Sequence, residues 1–269
     1  MSTYAGKNAV IIGGTHGIGL ATAKLLLARG AKVLLTGRRP EPIAEAKAAL
    51  VSISATNAAV VQFDVTAAPG GAALTDLQAA IETHLGPGRA IDFLFLNVGY
   101  ASLGPFAAVT EEVFDRTFNT NTRGPIFATQ RFVPLMKPGG CILFTTSTSI
   151  AYGAPQMAIY SASKAAIYSF VQTLAAELAA AKRAGGEEVV RVNAISPGFV
   201  DTPTMGTVGI SEAEKEMFAQ IGVKSTPLGR ISSAEEVARA AVFLGFEATF
   251  STGTEFLMDG GLRTLQKEE

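Results

Sequence analysis

The sequence predicts an α/β protein built on one parallel sheet with helices on both of its faces. Short runs rich in Val, Ile, Leu and Phe alternate with longer helical patterns along the chain. Most of these runs are continuously apolar, which is typical of strands covered on both sides. Such alternation predicts a single doubly wound sheet. The chain has 269 residues and 48% of them are hydrophobic, so we expect one domain over residues 1–269 with a large core.

Seven apolar runs are predicted to be strands: Asn8–Ile12, Lys32–Thr36, Ala59–Asp64, Ile91–Asn97, Cys141–Thr146, Val189–Ile195 and Glu255–Met258. Helical patterns fall between them, near residues 18–29, 41–54, 72–84, 111–136, 158–183 and 234–244. The stretch from Pro203 to Pro227 interrupts this alternation and is predicted to be irregular, with a substrate lid over residues 203–226. The polar residues 264–269 are predicted to form a loose end.

Composition argues against several classes of protein. The net charge is −1 and the basic residues form no long stripe, so nucleic-acid binding is not expected. Cys141 is the only cysteine, which excludes an intrachain disulfide and fits a reducing compartment. The only histidines, His16 and His84, have no Cys/His cluster nearby, so no metal site is expected. Without a signal peptide or a long apolar stretch, we expect a soluble cytoplasmic protein with no membrane partner.

A glycine-rich turn follows the first predicted strand and leads into the first helix. Gly13, Gly17 and Gly19 are spaced G-x3-G-x-G, with Thr15, His16 and Ile18 between them. Glycines let a backbone turn tightly and approach a pyrophosphate, and a helix N-terminus favours negative charge. A P-loop is disfavoured because no Gly-Lys-Ser/Thr sequence ends the turn. The turn therefore predicts a dinucleotide-binding site.

Two arginines follow the second predicted strand, at the position where sites that prefer NAD usually carry an acidic side chain. Arg38 and Arg39 stand there instead. A guanidinium matches the 2′-phosphate of NADP, which a carboxylate would repel. The alternative is that both are solvated loop residues. We expect NADP(H) as the cofactor, with His16 close to the same pocket.

Three residues form a candidate proton-transfer device. Tyr160 and Lys164 are four residues apart and share one helix face, and Ser147 lies thirteen residues before the tyrosine. An unperturbed tyrosine has a pKa of about 10 and holds its proton too tightly at neutral pH. A nearby ammonium lowers that pKa, and a serine hydroxyl can steady a reacting oxygen.

These motifs together resemble the short-chain dehydrogenase/reductase family, and the resemblance extends from Lys7 to Gly261. Their order and spacing make the resemblance specific. The matching positions are Gly13, Gly17 and Gly19, the pair Asp64-Val65, the segment Asn97-Val98-Gly99, the active-site Asn121, the group Ser147, Tyr160 and Lys164, the loop Pro197-Gly198 with Val200 and Thr202, and the C-terminal motifs Pro227–Arg230, Glu235–Ala238 and Asp259–Gly261.

The resemblance implies a Rossmann fold and hydride transfer between a nicotinamide and a carbonyl carbon. Tyr160 is implied to donate its proton to the developing alkoxide, with Ser147 bonded to the same oxygen. Lys164 is implied to lower the tyrosine pKa and bind the nicotinamide ribose, and Asn121 to hold a water that resupplies the proton. With Tyr160 and Lys164, the implied cofactor contacts are Gly13, Thr15, His16, Gly17, Ile18, Gly19, Arg38, Arg39, Asp64, Val65, Asn97, Gly99, Pro197, Gly198, Val200 and Thr202.

The chain departs from the family pattern at two positions. Ile12 replaces the threonine that usually precedes the first glycine, and Leu96 replaces the first asparagine of the usual Asn-Asn-Ala-Gly. Both changes remove polar groups that brace neighbouring strands. We expect altered local hydrogen bonding without loss of chemistry, because the four catalytic positions are unchanged.

The expected function is NADPH-dependent reduction of a ketone to a secondary alcohol. One alternative is an NAD-linked alcohol dehydrogenase of the same family, which the pair Arg38 and Arg39 disfavours. Another is a catalytically silent, cofactor-sensing protein, which predicts damage at the catalytic positions. Enoyl reductases of related fold space the tyrosine and lysine more widely, so the spacing of Tyr160 and Lys164 favours a C=O substrate.

The predicted substrate pocket is largely apolar and aromatic. It includes Ser149, Ile150, Tyr152, Phe199, Met205 and parts of 203–226, with Val98–Tyr100 on the other side. We see no arginine or lysine placed to bind a carboxylate, which favours a hydrophobic or aromatic ketone over a small charged acid.

A homodimer or homotetramer is expected by resemblance. Family members usually pair through the helices that correspond to 111–136 and 158–183. Small residues on the second of these helices would permit close contact with a second subunit, or else pack inward against the sheet: Ala162, Ala165, Ala166, Ala175 and Ala176.

Overall fold

The computed structural model describes residues 3–67, 71–184, 186–204, 207 and 211–265, without the side chains of residues 182 and 183. The strands within these ranges are β1 Asn8–Ile12, β2 Lys32–Gly37, β3 Ala58–Gln62, β4 Ile91–Leu96, β5 Met136–Thr145, β6 Arg191–Pro197, β7 Val200–Asp201, β8 Ser232–Ser233 and β9 Glu255–Met258. The helices are α1 Gly17–Leu27, α2 Pro40–Val51, α3 Ala72–Leu85, α4 Glu111–Phe118, α5 Gly124–Phe132, α6 Ala158–Arg183, α7 Glu212–Ser225 and α8 Ala234–Phe246.

Among the described residues, seven parallel strands form one sheet in the order β3-β2-β1-β4-β5-β6-β9. The short strands β7 and β8 pair with each other. This is the predicted doubly wound Rossmann-type sheet, and the prediction is confirmed. The strand order reverses between β1 and β4, and ligands of such sheets bind outside the carboxyl ends of the strands at that point.

Both faces of the sheet are buried, as the continuous apolar runs predict. Leu94 and Phe95 are neighbours on β4 and are fully buried, yet they belong to separate apolar clusters on opposite faces. Successive side chains of a strand point to opposite faces, so a strand covered by helices on both sides needs apolar residues throughout. Cys141 on β5 is likewise fully buried, and burial raises the pKa of its thiol to about 11. Such a thiol is unreactive.

One predicted helix contains a π-helical turn. The pattern over 111–136 predicts a helix, and the chain is helical from α4 through a π-helical turn at Asn119–Arg123 into α5. Pro125 stands in the first turn of α5, where it cannot donate the backbone hydrogen bond of a continuous helix and its ring would collide with a preceding carbonyl. A second proline lies in the 3-10 turn Val133–Leu135, and β5 begins directly afterwards at Met136.

The interval after β6 is more regular than predicted. Within the stretch from Pro203 to Pro227 the chain forms the helix α7. Its first turn carries a capping box, in which the Ser211 hydroxyl accepts from the Glu214 backbone N–H and the Glu214 carboxylate accepts from the Ser211 N–H. This pairing satisfies two backbone donors that a helix start otherwise leaves open.

The C-terminal end is described as far as residue 265. The backbone N–H groups of Thr264 and Leu265 both donate to the carbonyl oxygen of Gly261, so these two residues form a bonded turn. The rest of the predicted loose end, residues 266–269, lies outside the described residues. Across the described part of the chain, no helix has both the length and the apolar character needed to cross a bilayer.

Candidate active site

A cleft of about 500 Å³ opens along the carboxyl ends of β1, β2, β4, β5 and β6. It is large enough for a small-molecule ligand. Most of the predicted cofactor and catalytic residues line it together: Gly13, Thr15, His16, Gly17, Ile18, Arg38, Arg39, Asp64, Val65, Asn97, Gly99, Ser147, Tyr160, Lys164, Pro197, Gly198, Val200 and Thr202. Gly19 and Asn121 are not part of its wall.

The glycine turn packs too closely for side chains. Gly13 has φ +81°, and a Cβ there would lie 2.5 Å from Cγ1 of Val98. A Cβ on Gly19 would lie 2.5 Å from Cα of Gly14, so Gly19 holds the start of α1 against the turn rather than lining the cleft. A Cβ on Gly17 would lie 2.9 Å from Cγ2 of Thr202. The turn is thus a narrow backbone cradle at the start of α1, where a bound anion is favoured.

The two departures from the family pattern form a contact pair. Ile12 and Leu96 are register partners on β1 and β4, and both are buried. The polar bracing is supplied one residue later by Asn97, whose side chain donates to the Gly13 carbonyl at 2.8 Å and accepts from the Thr145 hydroxyl at 2.8 Å. An apolar pair therefore replaces local polar contacts, and Asn97 still ties the glycine turn to β5.

The end of the cleft beside β2 is basic. Arg38 and Arg39 are exposed on its wall directly after β2. Burial lowers the pKa of His16, and the nearby charge of Arg39 lowers it further. On the same wall, Asp64 accepts hydrogen bonds from the Thr66 N–H at 2.9 Å and the Thr66 hydroxyl at 2.8 Å, so its carboxylate is held within its own loop.

Ser147 and Tyr160 meet in the middle of the cleft. Ser147 follows β5, and Tyr160 lies in the first turn of α6. Burial raises the pKa of Tyr160, a hydrogen bond with Ser147 opposes that rise, and Tyr152 adds to it. The Ser147 hydroxyl also accepts a hydrogen bond from the Ser149 N–H at 3.3 Å. The phenol and the hydroxyl can therefore contact the same oxygen atom of a ligand.

Lys164 is almost fully buried, one helical turn after Tyr160. Its ammonium donates to the carbonyl oxygens of Thr145 at 2.8 Å and Val98 at 3.1 Å. Burial lowers the pKa of Lys164 to about 7. The sequence-based expectation that Lys164 lowers the tyrosine pKa is not visible here, because the contact that lowers it comes from Ser147. The lysine instead joins the ends of β4 and β5.

Asn121 lies behind the cleft wall in the π-helical turn, and it is buried. Its side-chain oxygen accepts from the Tyr100 N–H at 2.8 Å, and its amide donates to the Tyr100 carbonyl at 2.9 Å and to the Ser163 hydroxyl at 3.0 Å. A π-helical turn widens the helix locally, and such turns are frequent at functional sites. The side chain of Asn121 therefore braces the loop after β4 against α6.

The predicted substrate residues are only partly brought together. Tyr152 and Phe199 line the cleft, whereas Ile150 is not part of its wall. Ser149 also lines it, but its hydroxyl oxygen is covered and has no hydrogen-bond partner within the described structure. Met205 lies outside the described residues.

Three cleft residues lie on α7, inside the stretch 203–226 that was predicted to contribute to the pocket but not to form a helix. Glu212, Lys215 and Phe218 recur at every third position of α7 and line the cleft. Lys215 thus lines the cleft, whereas from the sequence no arginine or lysine was expected to be placed to bind a carboxylate. The signal that could have found this helix is the Ser-x-x-Glu capping box at Ser211 and Glu214.

The residues present fit a nicotinamide dinucleotide. The cradle at Gly13 and Gly17 has no room for side chains. Arg38 and Arg39 supply positive charge after β2, and the buried Lys164 lies at the end of β4, two strands further along the sheet. The described ranges contain no group of three His, Cys, Asp or Glu side chains that could hold a metal ion.

Comparison with known proteins defines the class. The family described as Enoyl-(Acyl carrier protein) reductase matches residues 13–263. "Oxidoreductase asL5" of Sarocladium schorii is 36% identical over 260 residues, covering 96% of each chain. "Versicolorin reductase 1" of Aspergillus parasiticus is 33% identical over 264 residues, covering 95% of this chain and 96% of that protein.

A solved structure agrees with these matches. The NADPH-bound short-chain oxidoreductase of Pseudomonas aeruginosa PAO1, described as containing an atypical catalytic center, superposes with a TM-score of 0.83 at 27% identity. The match covers 99% of this chain and 100% of that one. The fold and cleft define an oxidoreductase that uses a nicotinamide cofactor. This chain belongs to the short-chain dehydrogenase/reductase family.

Proposed function

We propose that this protein reduces a ketone to a secondary alcohol with NADPH as the hydride donor. One observation carries the proposal: Ser147, Tyr160 and Lys164 stand on one cleft whose other end is a glycine cradle flanked by Arg38 and Arg39. A proton donor and a site for a nicotinamide dinucleotide therefore share one cavity. When bound, NADPH supplies the hydride, and the protein positions and polarises the substrate.

Tyr160 delivers the proton. A carbonyl oxygen placed between the Tyr160 phenol and the Ser147 hydroxyl accepts a hydrogen bond from each. Both bonds strengthen as negative charge develops on that oxygen, which stabilises the transition state more than the ground state. Burial raises the pKa of Tyr160 and the hydrogen bond with Ser147 opposes that rise, so the phenol carries its proton at neutral pH. The developing alkoxide is a stronger base than a phenolate and can take that proton in the reductive direction.

Lys164 organises the floor of the site. Its bonds to the Thr145 and Val98 carbonyls hold the ends of β4 and β5 together beside Tyr160. With a pKa of about 7, its amine changes protonation state near neutral pH. It can therefore receive or release a proton as the tyrosine is restored. The ribose hydroxyls of the nicotinamide are its proposed ligands.

NADPH is preferred over NADH in this proposal. No carboxylate follows β2 at the position of Arg38 and Arg39, and a guanidinium binds a phosphate through paired, charge-assisted hydrogen bonds. The similar oxidoreductase of Pseudomonas aeruginosa, which is 27% identical in sequence, is described as bound to NADPH. This similarity supports the same cofactor preference.

The proposed substrate is a hydrophobic or aromatic ketone. Phe199 and Phe218 lie on the cleft wall with ring centroids 5.1 Å apart, and Tyr152 lies on the same cleft. Aromatic side chains bind flat apolar ligands through large contact areas and ring stacking. The similarity to versicolorin reductases supports reduction as the direction of the reaction.

A titration of the purified protein with NADPH and then NADH, followed by nicotinamide fluorescence, tests the cofactor. The chain has no tryptophan, so direct cofactor emission is the better signal. We expect much tighter binding of NADPH, followed by oxidation of NADPH when aryl ketones are added. Tighter binding of NADH would contradict the proposed cofactor and favour an NAD-linked alcohol dehydrogenase. Binding of neither would contradict the oxidoreductase proposal itself.

We also propose that the protein is a homodimer or homotetramer. Ala162, Ala165 and Ala176 are exposed on the outer face of α6, while Ala175 packs inward and is buried. An outward row of small residues lets a second helix approach closely. Light scattering coupled to size-exclusion chromatography measures the assembly, and a monomer at micromolar concentration would contradict the proposal.

A further inference from the structure

The helix α7 presents a charged and aromatic face to the cleft. Phe218 packs against Phe199, which lies in the short loop between β6 and β7. The helix lies close to that loop, because a Cβ on Gly222 would lie 2.7 Å from Cγ of Phe199. Lys215 stands one turn before Phe218 on the same face, about 5 Å along the axis. The helix therefore carries Lys215 into the cavity beside an aromatic wall.

Lys215 is covered more than its ion-pair partner. Its side chain is 27% exposed, whereas the side chain of Glu212 is 92% exposed. The nearest distance between the ammonium and the Glu212 carboxylate is 3.6 Å, which is longer than a normal hydrogen bond. An ion pair with so exposed a carboxylate contributes little to stability. The ammonium thus keeps bonding capacity for a ligand inside the cleft.

Lys215 lies far from Arg38 and Arg39, which are at the other end of the cleft. Arg38 and Arg39 follow β2, and Phe199 follows β6, which lies four strand spacings away in the sheet. Four spacings amount to about 19 Å. Near the lid, Ala101 and Thr207 form a bridge between the loop after β4 and the segment before α7, and both line the cleft. Lys215 therefore faces the substrate end.

We infer that Lys215 is a specificity-determining residue that binds an anionic oxygen, such as a carboxylate, on an aromatic ketone. This inference rests on the proposed function and names its substrate class more closely. The aromatic part of the ligand packs against Phe199 and Phe218, and the acidic group lies about one helical turn away at Lys215. Glu212 holds the ammonium loosely until the ligand replaces it.

A matched pair of probes tests the inference: 4-acetylbenzoate and its methyl ester, which share one aryl ketone and differ in charge. Turnover is measured with NADPH, and binding to the complex with NADP⁺ is measured by calorimetry. Lys215→Met keeps most of the length of the side chain and removes its charge, and Lys215→Arg restores the charge. Lys224→Met, an exposed lysine near the end of the same helix, is the control.

We expect Lys215→Met to raise both the KM and the Kd of the carboxylate by about tenfold, the size of one lost charge-assisted hydrogen bond. The KM of the ester, the kcat of both substrates and the Kd of NADPH should change by less than about twofold. Lys215→Arg should recover most of the lost affinity for the carboxylate. Glu212→Gln should tighten carboxylate binding slightly, because it removes the competing partner. Lys224→Met should match the wild type.

Three outcomes would overturn the inference. The first is equal loss for ester and carboxylate, and the second is weaker NADPH binding in Lys215→Met, which would make Lys215 a cofactor ligand. The third is a wild-type protein that binds the carboxylate no more tightly than the ester. If neither ketone is reduced but the carboxylate still binds through Lys215, the proposed reaction fails and the anion site stands.

Discussion

The side-chain amide of Asn121 donates a hydrogen bond to the hydroxyl of Ser163 at 3.0 Å in the buried space behind the cleft. The Ser163 hydroxyl in turn donates to the backbone carbonyl of Tyr160 at 2.7 Å. Asn121 also holds both backbone polar groups of Tyr100. One network therefore fixes the loop after β4 and the backbone of the proposed acid together.

Replacement of Ser163 by alanine should loosen this network. Asn121 loses an acceptor in a buried place, so we expect the free energy of unfolding to fall by about 1–3 kcal/mol. Tyr160 should be held less well, and kcat should fall by about 3- to 10-fold with little change in NADPH affinity. Urea unfolding and steady-state kinetics measure both effects. Ser169→Ala, an exposed serine on the same helix, is the control, and equal behaviour of the two variants would contradict the prediction.

Replacement of Tyr160 by phenylalanine should remove the proton donor and keep the shape of the site. Loss of a general acid costs about 10²–10⁴-fold in turnover. The Kd of NADPH should change little, because the ring remains in place. Tyr168→Phe is the matched control on α6, where the Tyr168 hydroxyl accepts a long hydrogen bond of 3.4 Å from Gln172. Nearly full activity of Tyr160→Phe would eliminate the proposed mechanism.

Replacement of Arg38 or Arg39 by alanine should act on NADPH and not on NADH. Each lost contact with a phosphate removes a charge-assisted hydrogen bond, so the Kd of NADPH should rise by about tenfold or more. The Kd of NADH should stay nearly constant, since it has no 2′-phosphate. Fluorescence titration of both cofactors gives the comparison, and Arg131→Ala on the exposed side of α5 is the control. A parallel loss for both cofactors would show that these arginines do not recognise the 2′-phosphate.

The buried Lys164 should make the stability of the cofactor-free protein depend on pH. Its pKa falls from the usual 10.5 to about 7 on folding, because burial disfavours its charge. Between these values the unfolded chain binds more protons, so the contribution of this lysine to stability rises with pH and is lost as pH falls through about 7. The difference in unfolding free energy between the wild type and Lys164→Met should rise from pH 7 to 9, by up to about 1.4 kcal/mol per unit. A constant difference would mean that Lys164 stays charged.

Features that depend on residues close together in the chain were predicted well. The glycines at 13, 17 and 19 indicate a turn that side chains would obstruct, and the spacing of Tyr160 and Lys164 places both on one helix face. The π-helical turn between α4 and α5 was not predicted, although Pro125 is a signal of irregular helix geometry. The helix α7 was missed because its apolar pattern is weak, and only the capping residues at its start mark it.

The sequence by itself determined the seven strands of the sheet, the glycine turn and the residues proposed for proton transfer, because each depends on residue type and short-range spacing. Only the tertiary structure decided that the Lys164 ammonium turns to the Thr145 and Val98 carbonyls, and that Lys215 enters the cleft. These contacts join residues that are far apart in the chain. They exist because the sheet brings the ends of its strands to one edge, and chain-local patterns carry no record of which side chains meet there.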